Sequence, residues 1–450
     1  MVGRNPPAGL AATSFDALLA TEPTAAVDAA FAAVGPDTVA KLLFTSGSTG
    51  MPKAAVNTQR MICSNQAGTD QVWPFVHSKP QITVNWLPWN HTFGGNYVVN
   101  FILSKGGTLY IDDGRPTAER IGRTVANLRE VSPTVYLNVP RGYDVLVPHL
   151  ERDAALRATF FRDLDLLFYA GASLPQHLWD RLQALAVDTV GHGVPMSTSW
   201  GMTETGPMHT VVHAPVDRAG NVGTPLPGTE LKLIENGGKL ELRARGPNVT
   251  PGYWQDGRVV RDAFDDEGWL ITGDAVQLAD PDDPNAGLIF DGRVVENFKL
   301  LSGTWVHVDA LRVAAIAAMA PVAQDAVVTG HDRGEIGLLV FPSVAGCRGL
   351  DPALAAIADP LALLRRPEIA ARIREGLRAH NRAARSSSRR IARVLLMAEP
   401  PSADANEITD KGYINQRAVL ERRAALVGRL YDDAAERDDG DLPGVTIVVD

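Results

Sequence analysis

The order of strand-like and helix-like segments predicts an α/β fold. A large N-terminal domain with parallel sheet flanked by helices carries a small β-barrel-like part, and a small mobile α+β domain follows it. Three observations lead there. Between residues 81 and 200, short β-prone runs alternate with helix-length segments, the texture of parallel strands joined by crossover helices. From Asn221 the chain turns to short β segments separated by Gly and Pro, with Glu235, Asn236, Gly237 and Gly238 forming a hairpin-turn signal. From Phe298 strands and helices resume in a shorter, mixed order.

Taken in order, residues 1–37 are rich in Ala, Pro and Thr and read as linker with one short helix at 14–20. The main domain spans 38–294. It opens on an apolar run, Leu42, Leu43 and Phe44, of the kind that ends a buried strand, followed by TSGSTGMPK up to Lys53. A strand at 54–56 and a helix at 58–67 come next. Residues 81–88 read as a strand stopped by Pro88. WNHTFGGN (89–96) then leads into an apolar helix reaching Leu103. Strands at 108–111, 134–138, 165–169 and 194–200 alternate with helices at 117–130, 141–150 and 175–186. Residues 220–294 are the β-rich part. The second domain, 295–431, has helices at 309–319 and 368–384 and strands at 325–329, 337–341 and 393–397. Residues 432–450, acidic and rich in Gly and Asp, read as a solvated tail.

A chain of 450 residues allows two to three domains at roughly 150 residues each. Its 45% hydrophobic and 21% charged content is that of an ordinary globular protein. The net charge of −9 argues against nucleic acid as a partner. Two cysteines, Cys63 and Cys347, cannot build a disulfide framework or a thiolate metal site, which fits a cytoplasmic location. No signal-peptide h-region is visible, and no run approaches the ~20 apolar residues of a membrane span.

The chemistry is concentrated in loops that leave strands. Thr45, Ser46, Gly47, Ser48, Thr49 and Gly50, with Lys53 after them, alternate hydroxyls and glycines. Such a loop brings backbone N–H groups and hydroxyls to phosphate oxygens, and Lys53 adds positive charge. It is not a Walker A motif, because neither glycine is followed by Lys and a hydroxyl residue. On an open parallel sheet, ligands sit where loops leave the carboxyl ends of strands. The segments 171–175 (GASLP) and 200–204 (WGMTE) are placed in that way.

These strings, in this order, resemble the adenylate-forming superfamily of acyl-CoA synthetases, luciferases and peptide-synthetase adenylation domains. The resemblance implies activation of a carboxylate by ATP to an acyl-AMP, then transfer to a thiol. It implies that Thr45 to Gly50 and Lys53 hold the phosphates and that Gly171, Ala172 and Ser173 lie against adenine. Trp200, with Gly201 and Met202, would stack on the base, Thr203 would bond the α-phosphate, and Glu204 would hold Mg2+ as a hard oxygen ligand. GWLITGD places Asp274 on the ribose hydroxyls, with Arg293 as a second contact. His91 takes the position of a gate between acyl site and thiol tunnel, with Gly303 on the CoA path, and Lys411 that of the catalytic lysine. His192, His209 and His213 receive no role.

The chain departs from the family pattern in three places. Relatives carry a further α/β subdomain before the phosphate loop, so the N-terminal subdomain is expected to be missing, whether through a fragment, a misplaced start or a protein that lives without it. Val295 stands where the family hinge is Asp or Lys. Asp410 stands before Lys411 where relatives have Gly. ENFKLLSGTWV and EITDKGYINQRAVL resemble the feruloyl-CoA synthetase branch. The expected activity is therefore an AMP-forming acid–CoA ligase using ATP, CoA and Mg2+ on a small carboxylic acid of the hydroxycinnamate type. Two other readings stay open: an adenylating enzyme loading a carrier-protein thiol, and a truncated, non-catalytic nucleotide-binding homologue.

Overall fold

The computed structural model describes residues 13–45, 53–117, 119–214, 216–236, 238–384, 386–402, 405, 407–408, 414–432 and 444–449. The strand alternation expected between 81 and 200 is present. Ile82–Asn85 pairs in parallel with Thr108–Ile111. Val135–Asn138, Leu166–Tyr169 and Met196–Thr198 form a second parallel sheet. The two adjoin, because Asn85 donates to the Leu137 carbonyl at 2.8 Å and Thr134 N–H to the Ile82 carbonyl at 2.9 Å.

Successive side chains of a strand point to opposite faces, and both faces here are covered. Leu167 and Tyr169 pack with Leu146, Leu150, Phe160 and Leu182 from the helices Pro140–Arg152, Ala154–Arg162 and Gln176–Val190. Leu166 and Phe168 pack on the other side with Trp73, Phe93, Tyr97 and Phe101. A strand buried on both faces reads as a continuous apolar run, which is why LLFY shows no alternation.

The segment after Trp89 is wound more tightly than a loop. Thr92–Val98 is a π-helical turn running directly into the helix Val99–Ser104. Gly94 and Gly95 are required by packing: a Cβ on them would come within 2.4 Å of the Pro88 carbonyl oxygen and 2.0 Å of that of Trp89.

The apolar run before the phosphate loop is a correction. Val39–Thr45 is the edge of a four-stranded antiparallel sheet, followed by Lys53–Thr58, Tyr253–Gln255 and Arg258–Val260. Leu43 is buried, but Phe44 is 72% exposed. With period two, Leu42 and Phe44 lie on the face opposite Leu43, so apolar character alone did not mean burial on both sides. The helix expected at 58–67 runs on to Val72, as Gln59–Val72, capped by the Thr58 hydroxyl accepting from Met61 N–H.

The β-rich part is a four-stranded antiparallel sheet of Glu230–Asn236, Lys239–Arg245, Leu270–Leu278 and Leu288–Arg293, its first hairpin closing at the expected turn. Val295 lies in the single turn Val294–Glu296 that leaves this sheet. The C-terminal sheet orders Ala323–Thr329, Ile336–Pro342, Ile391–Met397 and Gly444–Val448, with Val308–Ala318 and Pro367–Ala383 packed on it. That last strand corrects the solvated-tail expectation for its end. GVTIV pairs antiparallel with Ile391–Met397, and Ile447 is 1% exposed, because a β-branched run completes the sheet core. The N-terminal stretch holds two helices, Phe15–Leu19 and Ala25–Ala32, where one was expected. The second, AAVDAAFA, is rich in Ala, the strongest helix former, and neither helix buries a residue. Among the described residues no helix is long and apolar enough to cross a membrane.

Candidate active site

Two clefts meet at the carboxyl ends of the parallel strands. The first, of about 460 Å³, is walled by His91, Phe93, Tyr97, Phe168 and Met208 and reaches Thr203. The second, of about 550 Å³, is lined by Ala172, Ser173, Trp200, Asp274 and Phe290. Gly171, Ser199 and Gly201 belong to both. They follow the strands Leu166–Tyr169 and Met196–Thr198, so two short crossings of backbone separate the clefts. Gly171 takes φ +89°, and a Cβ on Gly201 would lie 1.9 Å from the Pro207 carbonyl oxygen.

Trp200, Asp274 and Arg293 form one group. The register of the β-rich sheet places Asp274 directly opposite Arg293. Arg293 Nε lies 3.2 Å from Asp274 Oδ1, without the alignment of a hydrogen bond, and Trp200 Nε1 donates to Oδ2 at 2.9 Å. Trp200 is 4% and Asp274 8% exposed. Burial pushes the Asp274 carboxyl above its ordinary range, while Arg293 and the Trp200 donor pull it back. Oδ1 is thus a buried acceptor with no donor aligned on it.

Glu204 sits in the turn Thr203–Thr205, 4% exposed. Its Oε1 accepts from Tyr253 Oη at 2.8 Å, and its carbonyl accepts from Thr250 N–H at 2.8 Å. Burial raises its pKa, and the Tyr253 bond works against that. The loop around it is clamped by two asparagines absent from the expected set. Asn65 Nδ2 donates to the Thr205 and Met208 carbonyls at 3.2 and 3.1 Å, and Asn248 Nδ2 donates to the same two at 3.0 and 2.8 Å. Isolated asparagines on a helix and in a G-P-N turn give no sequence signal for this, and Tyr253, in GYW, was missed for the same reason.

Of the phosphate loop, Thr45 and Lys53 are described, and they pair across the hairpin base. Ser46, Gly47, Ser48, Thr49 and Gly50 lie outside the described residues. Lys53 Nζ makes an exposed ion pair with Asp262 at 3.2 Å and lies 5.2 Å from the centroid of the Tyr253 ring. His91 Nδ1 accepts from Phe93 N–H at 3.1 Å, so in the neutral ring the proton is on Nε2. Ser173 Oγ reaches Asp309 Oδ2 at 3.3 Å, joining the second cleft to the first helix of the C-terminal domain.

Gly303, at φ +79°, turns the short hairpin of Phe298–Lys299 and Trp305–Val306 and lines neither cleft. Lys411 lies outside the described residues. The base of its loop is anchored: Ile408 bridges Ile414, and Glu407 is held bidentately by Arg423 at 2.7 Å on each oxygen. Burial opposes the Glu407 charge, but bonds from Arg423, Ser402 N–H and Arg422 outweigh it and pull the carboxyl down to about 2. His209 is a structural group, with Nε2 on the Glu230 carbonyl at 2.9 Å and Nδ1 beside Asn248 at 3.1 Å. Burial pushes its pKa down to about 4.

The AMP-binding enzyme family model matches residues 8–254, and the model of the AMP-binding enzyme C-terminal domain matches residues 307–435. A putative fatty-acid–CoA ligase of Mycobacterium tuberculosis is 26% identical over 89% of this chain and 74% of its own. The mitochondrial malonate–CoA ligase of Mus musculus is 27% identical over 54% of this chain and 46% of its own. The crystal structure of the anthranilate–CoA ligase AuaEII with anthranoyl-AMP superposes with a TM-score of 0.64 at 22% identity, covering 88% of this chain and 68% of that one. At that identity the likeness is one of fold.

Proposed function

Because the chain belongs to the AMP-binding enzyme family, we propose that it is an AMP-forming acid–CoA ligase, converting a carboxylate, ATP and CoA to acyl-CoA, AMP and pyrophosphate. The observation that carries this reading is the pair of clefts sharing Gly171, Ser199 and Gly201. A nucleotide in the second cleft and an acid in the first bring an α-phosphorus and a carboxylate together at the shared wall. Asp274 Oδ1 is the acceptor for ribose hydroxyls, held by Trp200 and Arg293. Ala172 and Ser173 lie along the base. Thr203, at the mouth of the first cleft, donates to the α-phosphate. The substrate carboxylate oxygen attacks the α-phosphorus, pyrophosphate leaves, and the CoA thiol then displaces AMP from the acyl carbon. Catalysis of this kind rests on positioning and charge stabilisation. Lys411 supplies positive charge in the first step. A rotation at Val295 brings Gly303 and His91 to the thiol path in the second.

The donor set fits Mg2+. Glu204 offers one buried carboxylate, and the described residues hold no cluster of three or more ligating side chains. That suits a cation bound chiefly through phosphate oxygens and water. When bound, the ion neutralises charge on the phosphates.

For the acid, the reading is an aromatic monocarboxylate of the hydroxycinnamate type. Phe93, Tyr97 and Phe168 present edges and faces to a flat ring, with centroids 5.8 to 6.4 Å apart. Among the described residues that line the first cleft there is no Lys, Arg, Asp or Glu, so a second charge on the substrate would find no opposite charge from them. The test is pyrophosphate release with ferulate, coumarate, benzoate, octanoate and malonate in parallel. Ferulate and coumarate are expected to give the highest kcat/KM. A clear preference for octanoate or malonate refutes the aromatic reading, and release with no acid refutes the ligase.

A further inference from the structure

The Tyr253 hydroxyl donates to the Glu204 carboxylate at 2.8 Å, both groups being buried. It is placed by three independent features. Tyr253–Gln255 is a central strand of the loop-bearing sheet, with Tyr253 opposite Ala55. That register puts its ring on the inner face, whereas its neighbour Trp254 falls on the outer face with Phe44. Thr250, three residues earlier, ties the same segment to Glu204 through its backbone N–H and to the Val56 carbonyl through its hydroxyl at 2.7 Å. Lys53, at the base of the phosphate loop, packs its ammonium over the Tyr253 ring. One residue therefore connects Lys53, on the strand that follows the glycine- and hydroxyl-rich loop, with the acidic side chain of the turn Thr203–Thr205.

A glutamate side chain has three rotatable torsions, and a single-carboxylate Mg2+ site depends on where its oxygen points. We propose that Tyr253 is a positioning residue for Glu204: its hydroxyl holds Oε1 and leaves the second oxygen as the metal donor. This rests on Glu204 being the Mg2+ ligand. Tyr253 itself touches neither metal nor substrate. Its ring also sets Lys53, so the hydroxyl and the ring have separable effects.

The experiment uses Tyr253→Phe, which keeps the ring beneath Lys53 and removes only the donor. Glu204→Gln and the double variant are measured alongside. Mg2+ binding is titrated calorimetrically in the presence of α,β-methylene-ATP, and ATP binding is measured separately in EDTA. Tyr253→Phe is expected to raise the half-saturating Mg2+ on the order of tenfold, the scale seen for partners of metal ligands, with metal-free ATP affinity unchanged. In the Glu204→Gln background it should add nothing further, because its target is gone. If Glu204→Gln shifts the Mg2+ curve and Tyr253→Phe does not, the positioning role is overturned and the metal assignment stands. Equal loss of metal-free ATP binding in Tyr253→Phe also overturns it, as the mark of a merely structural tyrosine. If Glu204→Gln leaves the Mg2+ curve in place, the metal assignment fails and the proposal with it.

Discussion

Trp200→Phe removes one hydrogen bond and tests the proposed nucleotide site as a unit. The indole N–H donates at 2.9 Å to Asp274 Oδ2, and both side chains are buried. Phenylalanine cannot donate, so Oδ2 loses its donor while Arg293 remains beside Oδ1. A hydrogen bond to a charged group contributes about 1.5–3 kcal/mol, which corresponds to about 10- to 150-fold in ATP dissociation constant if the carboxylate must be held to receive the ribose. The pH dependence has a definite sign. Burial already raises the Asp274 pKa, and losing a donor to the charged form raises it further. The acceptor is lost as pH falls through that pKa, so the variant should lose ATP binding at a higher pH than the parent. Calorimetric ATP titrations repeated over a descending pH series measure both effects. Stacking of Trp200 on adenine is separated by repeating the substitution in an Asp274→Asn background. A hydrogen-bond effect disappears there, and a stacking effect persists. ATP affinity within twofold of the parent across the series would refute the coupling.

Two further outcomes are expected. Lys411→Ala should slow adenylate formation by roughly 10²–10³, the scale for deleting one electrostatic stabiliser, while thioester formation from supplied acyl-AMP and CoA stays near the parent rate; equal loss in both half-reactions, measured separately, would make the lysine structural. Glu407→Gln should destabilise the C-terminal domain by about 3 kcal/mol in chemical denaturation, because it leaves buried Arg423 without its counter-charge. In the parent, the Glu407 pKa is depressed to about 2 from 4.5, so its contribution is full above about pH 4.5 and is lost as pH falls toward 2. The variant's acid unfolding should lack that component.

Loops written in consecutive residues are legible in the sequence, and contacts between distant residues are not. WGMTE and GASLP are short strings after strands, and the two strands run side by side, so both loops reach the same end of one sheet. Asp274 and Arg293 come from separate motifs, each expected as a ribose contact, and the strand register places them opposite each other. Asn65 and Asn248 left no trace, because an asparagine that clamps a loop has the same local context as one on a surface. Phe44 was misjudged, since an apolar run does not say which of its alternate side chains faces outward. The strand Gly444–Val448 was hidden behind an acidic stretch that dominated the composition of the chain's end.

The alternation of strands and helices, the position of the β-rich hairpin and the loops that carry polar chemistry are all legible in the residues. These depend on periodicity and turn residues within a dozen positions of one another, where φ/ψ preferences and capping act directly. That Trp200 bonds Asp274, 74 residues away, and Glu204 bonds Tyr253, 49 residues away, follows from packing alone. Those contacts exist because separate sheets pack so that buried polar atoms must find a partner from another sheet. Which partner is reached is set by register and packing distance, and neither is written in any local stretch of chain.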